Sequence, residues 1–165
     1  MPNQEEHSLR PARKEDLPFL ERMLFEAFFW QAQAPRPVFE DFRLHPEFVK
    51  LLAGWGRTGD TAFIAELEGI PAGAAWYRFW TDEKHSYGYV DAATPEIAIG
   101  VQAQYRGQGI GRALLQALLA EARRQGLHQV SLSVDPRNIA RKLYESEGFV
   151  KIGELGTSWT MVRIL

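Results

Sequence analysis

Residues 97–115 read IAIGVQAQYRGQGIGRALL, and no other stretch of the chain is as informative. β-branched residues at its start predict a strand, the glycines predict a turn, and apolar residues at helical spacing predict a helix after them. A turn of this kind brings backbone N–H groups and the positive end of a helix dipole to one place, which suits a phosphate. Gly107, Gly109 and Gly111 have no side chains to keep phosphate oxygens away. The stretch therefore predicts a phosphate site for a nucleotide or coenzyme, with a tight turn that binds nothing as the alternative.

Two familiar phosphate-binding turns do not fit these residues. A dinucleotide-binding turn requires Gly-x-Gly-x-x-Gly, and counted from Gly107 its last position is Arg112. A P-loop requires Gly-Lys followed by Ser or Thr, and the sequence contains no such tripeptide.

Composition narrows the classes of function. A chain of 165 residues predicts one domain over residues 1–165, large enough for a core of its own. The absence of cysteine excludes disulfides, thiolate metal sites and a cysteine nucleophile, and we predict no metal. A net charge of −2 argues against a nucleic-acid partner. Residues 104–142 hold seven Lys or Arg and two acids, which indicates either a small polyanionic ligand or a solvated helix face.

The start of the chain predicts neither a secretory signal nor a membrane anchor. Residues 1–6 are polar and acidic, with no apolar run behind them. No stretch approaches the ~20 apolar residues of a membrane span. A cytoplasmic protein without a membrane partner is the expectation.

The pattern along the chain predicts strands and helices in the order β-α-α-β-β-β-α-β-α-β-β. Asp16 is expected to cap the first helix, with Pro18 in its first turn. The strand–helix–strand unit over 96–134 is predicted to be parallel and right-handed, and the hairpins beside it antiparallel. A polar loop over 81–93, with a short strand near 87–90, has a length typical of functional loops. The predicted strands span 7–12, 61–67, 72–80, from 96, 129–134, 149–153 and 158–165; the helices span 17–28, 38–55 with a break at His45-Pro46, 109–125 and 139–147.

Two motifs about thirty residues apart resemble the GCN5-related N-acetyltransferase (GNAT) superfamily. The first is Arg106-x-x-Gly109-x-Gly111, and the second is Asn138-x-Ala140-x-x-Leu143-Tyr144-x-x-x-Gly148-Phe149. The resemblance implies an α/β protein of mixed α+β character with the acyl-CoA N-acyltransferase fold. Its central mixed, mostly antiparallel sheet would have six to seven strands flanked by about four helices.

The resemblance also implies a coenzyme and the residues that bind it. In the superfamily the arginine–glycine turn binds the pyrophosphate of acetyl-CoA through backbone N–H groups, and the preceding strand pairs with the pantetheine arm. The family's asparagine matches Asn138, six residues before the tyrosine where many members have seven. Its splayed strand makes the N–H of Val101 the expected oxyanion donor. The implied cofactor-binding residues are Ile99, Gly100, Val101, Arg106, Gly107, Gln108, Gly109, Ile110, Gly111, Arg112 and Asn138.

Two catalytic residues follow from the same resemblance. Tyr144 matches the tyrosine near the coenzyme sulfur, and packing in the core is its alternative role. Glu96 matches a strand glutamate that takes the amine proton in several members, usually through water, while an exposed strand-end charge is equally compatible with its position. His85 is expected to be a surface histidine, and aromatic residues 28–30 to lie mostly in the core beside the acceptor.

The implied function is transfer of an acetyl group from acetyl-CoA to a primary amine. Two other functions fit the same turn: a non-catalytic acyl-CoA sensor or regulatory module, and an acyltransferase for a longer acyl group. The partners are then acetyl-CoA and an amine acceptor, which is a small molecule or a protein. A homodimer is an additional partner that the sequence leaves open.

Overall fold

The computed structural model describes residues 6–165, which contain seven strands, five α-helices and two single 3₁₀ turns. The strands are β1 (His7–Pro11), β2 (Thr61–Leu67), β3 (Ile70–Arg78), β4 (Glu96–Val101), β5 (Gln129–Val134), β6 (Val150–Leu155) and β7 (Ser158–Ile164). The helices are α1 (Leu17–Phe28), α2 (Phe39–Leu44), α3 (Pro46–Leu52), α4 (Ile110–Arg124) and α5 (Ala140–Ser146), and the 3₁₀ turns are Lys14–Asp16 and Ala103–Tyr105.

All seven strands belong to one mixed sheet of order β1-β2-β3-β4-β5-β7-β6. Strand β4 is parallel to β5, while β1 with β2, β5 with β7 and β6 with β7 are antiparallel. The predicted mixed, mostly antiparallel sheet is therefore confirmed, at the upper end of the predicted strand number. The predicted break at His45-Pro46 is confirmed: His45 is extended before Pro46 and divides the second helical region into α2 and α3, which makes five helices where about four were predicted.

The chain forms two compact units. The first comprises the described part of Met1–Trp76 together with Ile99–Leu118, and the second comprises Tyr77–Ala98 with Leu119–Leu165. A single domain over 1–165 stays a prediction.

In the first unit, helix α1 supplies much of the buried surface through Leu20, Met23, Leu24 and Phe25. Pro18 lies in its first turn as predicted. Asp16 occupies the N-cap position, but its side chain does not make the expected capping hydrogen bond. The Asp16 carboxylate instead accepts hydrogen bonds from the Arg10 guanidinium at 2.7 and 2.9 Å and from the Arg13 N–H at 2.6 Å. The ion pair with Arg10, six residues earlier, outweighs the local capping preference.

The second unit contains strands β5, β6 and β7, helix α5 and the long connection over 79–95. The short strand expected near 87–90 does not form. The Gly88 N–H, which a strand would use in its ladder, donates instead to the side chain of Glu96. This connection is therefore organised around a carboxylate and not around a neighbouring strand.

Two features that would indicate a membrane or a metal partner do not occur in the described residues. Within residues 6–165, no helix has both the length and the apolar content needed to cross a membrane. No cluster of three or more His, Asp or Glu side chains suited to a metal ion occurs in that same part of the chain.

Candidate active site

The predicted phosphate turn has an open backbone. After β4 and the 3₁₀ turn Ala103–Tyr105, Gly107 and Gly109 adopt φ values of +78° and +83°, where a side chain would be strained. A Cβ atom at either position would have no other atom within 4 Å. The first bond of α4 runs from the Ala113 N–H to the Gly109 carbonyl at 3.1 Å, so the N–H groups of Ile110 to Arg112 precede it. The geometry is suited to an anion held by backbone groups.

The side chain of Arg106 does not extend over these glycines. Its Nε donates to the Val101 carbonyl at 3.1 Å, and its terminal nitrogen lies 3.2 Å from the carboxylate of Glu26. Glu26 also binds Arg36 at 3.3 Å. Arg106 therefore connects the turn to β4 and α1 through hydrogen bonds. Its role as a phosphate ligand stays a prediction.

The backbone of β4 alternates between two sides. The Gln102 N–H donates to the carbonyl of Ala72 in β3 at 2.9 Å. Because alternate residues of a strand point their backbone groups to the same side, the N–H of Gly100 points to β3 as well. The N–H groups of Ile99 and Val101 then point away from β3. These two amides are the ones able to pair with an extended ligand arm.

Gly100 has a packing role of its own. A Cβ atom there would lie 3.0 Å from the Met23 Cβ and far inside van der Waals distance of the Met23 carbonyl oxygen. Close approach of helix α1 therefore requires glycine at this position, whether or not a ligand is bound. Its assignment to the coenzyme stays a prediction.

Glu96 lies at the start of β4, beside Ser131 of β5 in the parallel register. Its carboxylate accepts a hydrogen bond from the Gly88 N–H at 2.5 Å and further bonds from the side chains of Ser86 and Trp80. Burial raises the pKa of Glu96, while these hydrogen bonds and the charge of His85 act in the opposite direction. Glu96 is thus a partly buried, hydrogen-bonded carboxylate and not a solvated strand-end charge.

Sequence reasoning missed the three donors to Glu96. Ser86 and Gly88 lie in the polar loop, and Trp80 follows β3, so no periodic pattern connects them with Glu96. The signals available were the length of the loop and a glycine within it. Neither identifies which carboxylate the loop contacts.

His85 lies on the exposed side of this loop, as expected. Its ring stacks on Tyr89 with centroids 4.4 Å apart, and its Nδ1 lies 2.9 Å from the Ser86 carbonyl oxygen. The Tyr89 hydroxyl donates to Asp82, which raises the pKa of Tyr89 to about 12. Contacts among its own residues therefore order the loop.

Tyr144 is buried in α5, with 9% of its surface exposed. Its ring centroid lies 5.8 Å from that of Phe149, and burial raises its pKa to about 12. Within the described residues, the structure gives its hydroxyl no hydrogen-bond partner. Tyr144 therefore packs as a core aromatic and also carries an unused hydroxyl.

Asn138 stabilises the start of α5. Its Oδ1 accepts a hydrogen bond from the Ala140 N–H at 3.0 Å. Contact with a coenzyme would be an additional role, which stays a prediction.

The aromatic residues 28–30, at and after the end of α1, are half-buried and do not belong to the fully buried core. Phe28 packs on Phe48 with ring centroids 4.9 Å apart, and Phe29 packs on Phe42 at 5.7 Å. These ring contacts join the end of α1 to α2 and α3.

Comparison with known proteins identifies the family. The model of the acetyltransferase (GNAT) family matches residues 18–149. The chain belongs to the GNAT family. This confirms the resemblance drawn from the two motifs, and the match includes both of them.

Two curated acyltransferases are similar to this GNAT chain over different lengths. The mycothiol acetyltransferase of Thermobispora bispora is 38% identical over 100 residues, which are 60% of this chain and 30% of that protein. The chain thus spans less than a third of that relative's length. The L-amino acid N-acyltransferase MnaT of Escherichia coli K12 is 29% identical over 154 residues, which are 90% of this chain and 82% of that protein.

The fold is that of solved GNAT structures. The PaiA N-acetyltransferase of Thermoplasma acidophilum, solved in complex with coenzyme A, superposes with a TM-score of 0.71 at 17% identity. The superposition covers 97% of this chain and 99% of that one. The predicted acyl-CoA N-acyltransferase fold is thereby confirmed.

Proposed function

We propose that this chain transfers the acetyl group of acetyl-CoA to a primary amine. The observation that carries the proposal is the turn after β4, where Gly107 and Gly109 leave the backbone open in a chain of the GNAT family. A GNAT fold neighbour solved with coenzyme A supports the same ligand.

The coenzyme would be bound mainly by backbone groups. The amides from Arg106 to Arg112, at the positive end of the 15-residue helix α4, suit the pyrophosphate. The N–H groups of Ile99 and Val101, on the side of β4 away from β3, suit the pantetheine arm. Gly100 and Asn138 complete the proposed set through the family resemblance.

Glu96 would act as the general base. The amine nitrogen must lose a proton to attack the thioester carbon, and a typical lysine-like amine is protonated at pH 7. The Glu96 carboxylate takes that proton, directly or through water. Because its pKa is raised, Glu96 is a stronger base than an ordinary glutamate, which favours this role.

Tyr144 would donate a hydrogen bond to the departing sulfur. The new C–N bond forms through a tetrahedral oxyanion, stabilised by the Val101 N–H, and collapse breaks the C–S bond to release coenzyme A. With a tyrosine pKa of about 12 and a thiol pKa of about 8.5, complete proton transfer to the thiolate is uphill by roughly 5 kcal/mol. The hydroxyl therefore assists as a donor, and the thiolate takes its final proton from solvent.

The α-amine of an L-amino acid is the acceptor to test first. The relative that aligns over most of both chains is named for that activity. A mycothiol acetyltransferase is also similar, through a shorter alignment. The acceptor class is therefore a small amine within this proposal.

The test is release of coenzyme A thiol from acetyl-CoA with a panel of L-amino acids, polyamines and peptides. We expect turnover with at least one amine and a product heavier by one acetyl group. Firm binding of acetyl-CoA without turnover on any amine would favour a sensor. Faster turnover with a longer acyl-CoA would change the donor but keep the reaction class.

The remaining expectations belong to the same proposal. We propose a cytoplasmic enzyme whose partners are acetyl-CoA and the amine, with no nucleic-acid or membrane ligand. A homodimer is compatible with it, and sedimentation velocity would measure the oligomeric state.

A further inference from the structure

The connection between β3 and β4 surrounds the carboxylate of Glu96. The Gly88 N–H donates to its Oε2 at 2.5 Å, and the side chains of Ser86 and Trp80 donate to it as well. A carboxylate that only ended a strand would be hydrated and free to rotate. We infer that Trp80, Ser86 and Gly88 are positioning residues that hold Glu96 in one orientation for proton transfer, an inference that rests on the proposed function.

Gly88 allows this arrangement because it has no side chain. A Cβ atom at Gly88 would lie 2.7 Å from the carbonyl carbon of Leu132 and 2.8 Å from the backbone nitrogen of Ser133. The loop therefore rests directly on the backbone of β5. Only this close approach brings the Gly88 N–H to the carboxylate.

The strand beside Glu96 does not supply a competing donor. Ser131 of β5 is its register partner, so both side chains project from the same face of the sheet. Its Oγ is buried, with no hydrogen-bond partner. The positioning bonds come from the loop, although a hydroxyl is present on the strand.

Charge around Glu96 also comes from the loop. His85 favours the ionised carboxylate through its charge. The register partner of Glu96 on β5, Ser131, is uncharged. Burial raises the pKa of Glu96, and the three donors lower it. Removing one donor should therefore raise the pKa further.

Ser86→Ala removes one donor and keeps the backbone carbonyl that contacts His85. Trp80→Phe removes a second donor and keeps an aromatic ring, and Gly88→Ala displaces the loop. Ser131→Ala is the matched control, because it deletes a neighbouring serine hydroxyl that has no partner. If Gly88→Ala fails to fold, the first two variants still test the inference.

The first readout is independent of turnover. In protein with glutamate labelled by ¹³C at Cδ, the Glu96 signal is the one missing from Glu96→Gln, and its shift is followed against pH. We expect the midpoint to rise by about one pH unit in Ser86→Ala and in Trp80→Phe, and to stay unchanged in Ser131→Ala. Equal midpoints in Ser86→Ala, Trp80→Phe and the parent would overturn the inference.

The second readout is the pH dependence of kcat/KM. We expect the midpoint of its acidic limb to move to higher pH in Ser86→Ala, by the same amount as the midpoint of the Glu96 signal. The affinity for acetyl-CoA should not change. In a Glu96→Gln background, Ser86→Ala should have no further effect. If the parent turns over no amine, the proposed function is refuted, and the Glu96 midpoint still tests the positioning role. If the parent is active and its pH profile coincides with that of Ser86→Ala, only the positioning role is refuted.

Discussion

The turn around Gly109 and the surroundings of Glu96 are built in opposite ways. The turn uses backbone groups of consecutive residues, and its form depends on glycines with positive φ. The Glu96 site uses side chains and one amide from residues up to sixteen positions away, resting on a strand that comes later in the chain. A site made of local backbone is visible in a sequence, whereas a site made of distant donors becomes visible only in the fold.

The largest effect is expected at the turn. Gly109→Val should lower acetyl-CoA affinity by about 100-fold or more, because a branched side chain both strains φ +83° and occupies the open space. Isothermal titration calorimetry measures the change. Gly69→Val is the matched control, with φ +79° and equally open space in the β2–β3 hairpin. Equal losses of affinity in both variants would mean that the turn has no special role.

Glu96→Gln should lower kcat/KM by about 100-fold at neutral pH, within the range for a positioned base. The parent rate should rise with pH as the Glu96 carboxyl ionises. Because burial raises the pKa of Glu96, the midpoint of this rise should lie at a higher pH than the pKa of an ordinary glutamate. The variant should lack that limb. A retained limb in Glu96→Gln, measured over the same pH range, would assign the base to another group.

Tyr144→Phe should lower kcat by about 10- to 100-fold, which corresponds to one hydrogen bond to a developing thiolate. Packing on Phe149 is retained, so stability should change by less than about 1 kcal/mol. With a tyrosine pKa of about 12, no limb from Tyr144 should occur in the kcat profile below about pH 10. An unchanged kcat would leave Tyr144 with its core role only.

The smallest effect is expected at Arg106. Because its guanidinium binds Glu26 and the Val101 carbonyl, Arg106→Ala should weaken acetyl-CoA binding only about 3- to 10-fold. Glu26→Gln should have a similar effect, and the double variant little more. An Arg106→Ala loss far larger than that of Glu26→Gln, with strong dependence on salt, would indicate direct contact with phosphate.

The same contrast separates what the sequence predicts from what it does not. Strand β5 over Gln129–Val134 matches its prediction, because alternating apolar residues before a turn define it. Helix α4 differs by one residue at each end, because periodic apolar residues between two glycines define it. The expected strand near 87–90 and the cap at Asp16 fail for one reason. In each case a hydrogen bond to a carboxylate, between residues six to eight positions apart, replaces the predicted local structure. Gly88 donates to Glu96, and Arg10 donates to Asp16.

Thermal unfolding with acetyl-CoA and with NADH examines the coenzyme assignment most directly. A ligand at 100 times its Kd that binds only the folded state adds about 2.7 kcal/mol, or roughly 5–10 °C for a chain of this length. We predict that acetyl-CoA raises the Tm of the parent by this amount, that NADH does not, and that Gly109→Val loses the response. A Tm raised by NADH but not by acetyl-CoA would contradict the assignment of the turn and the function proposed from it.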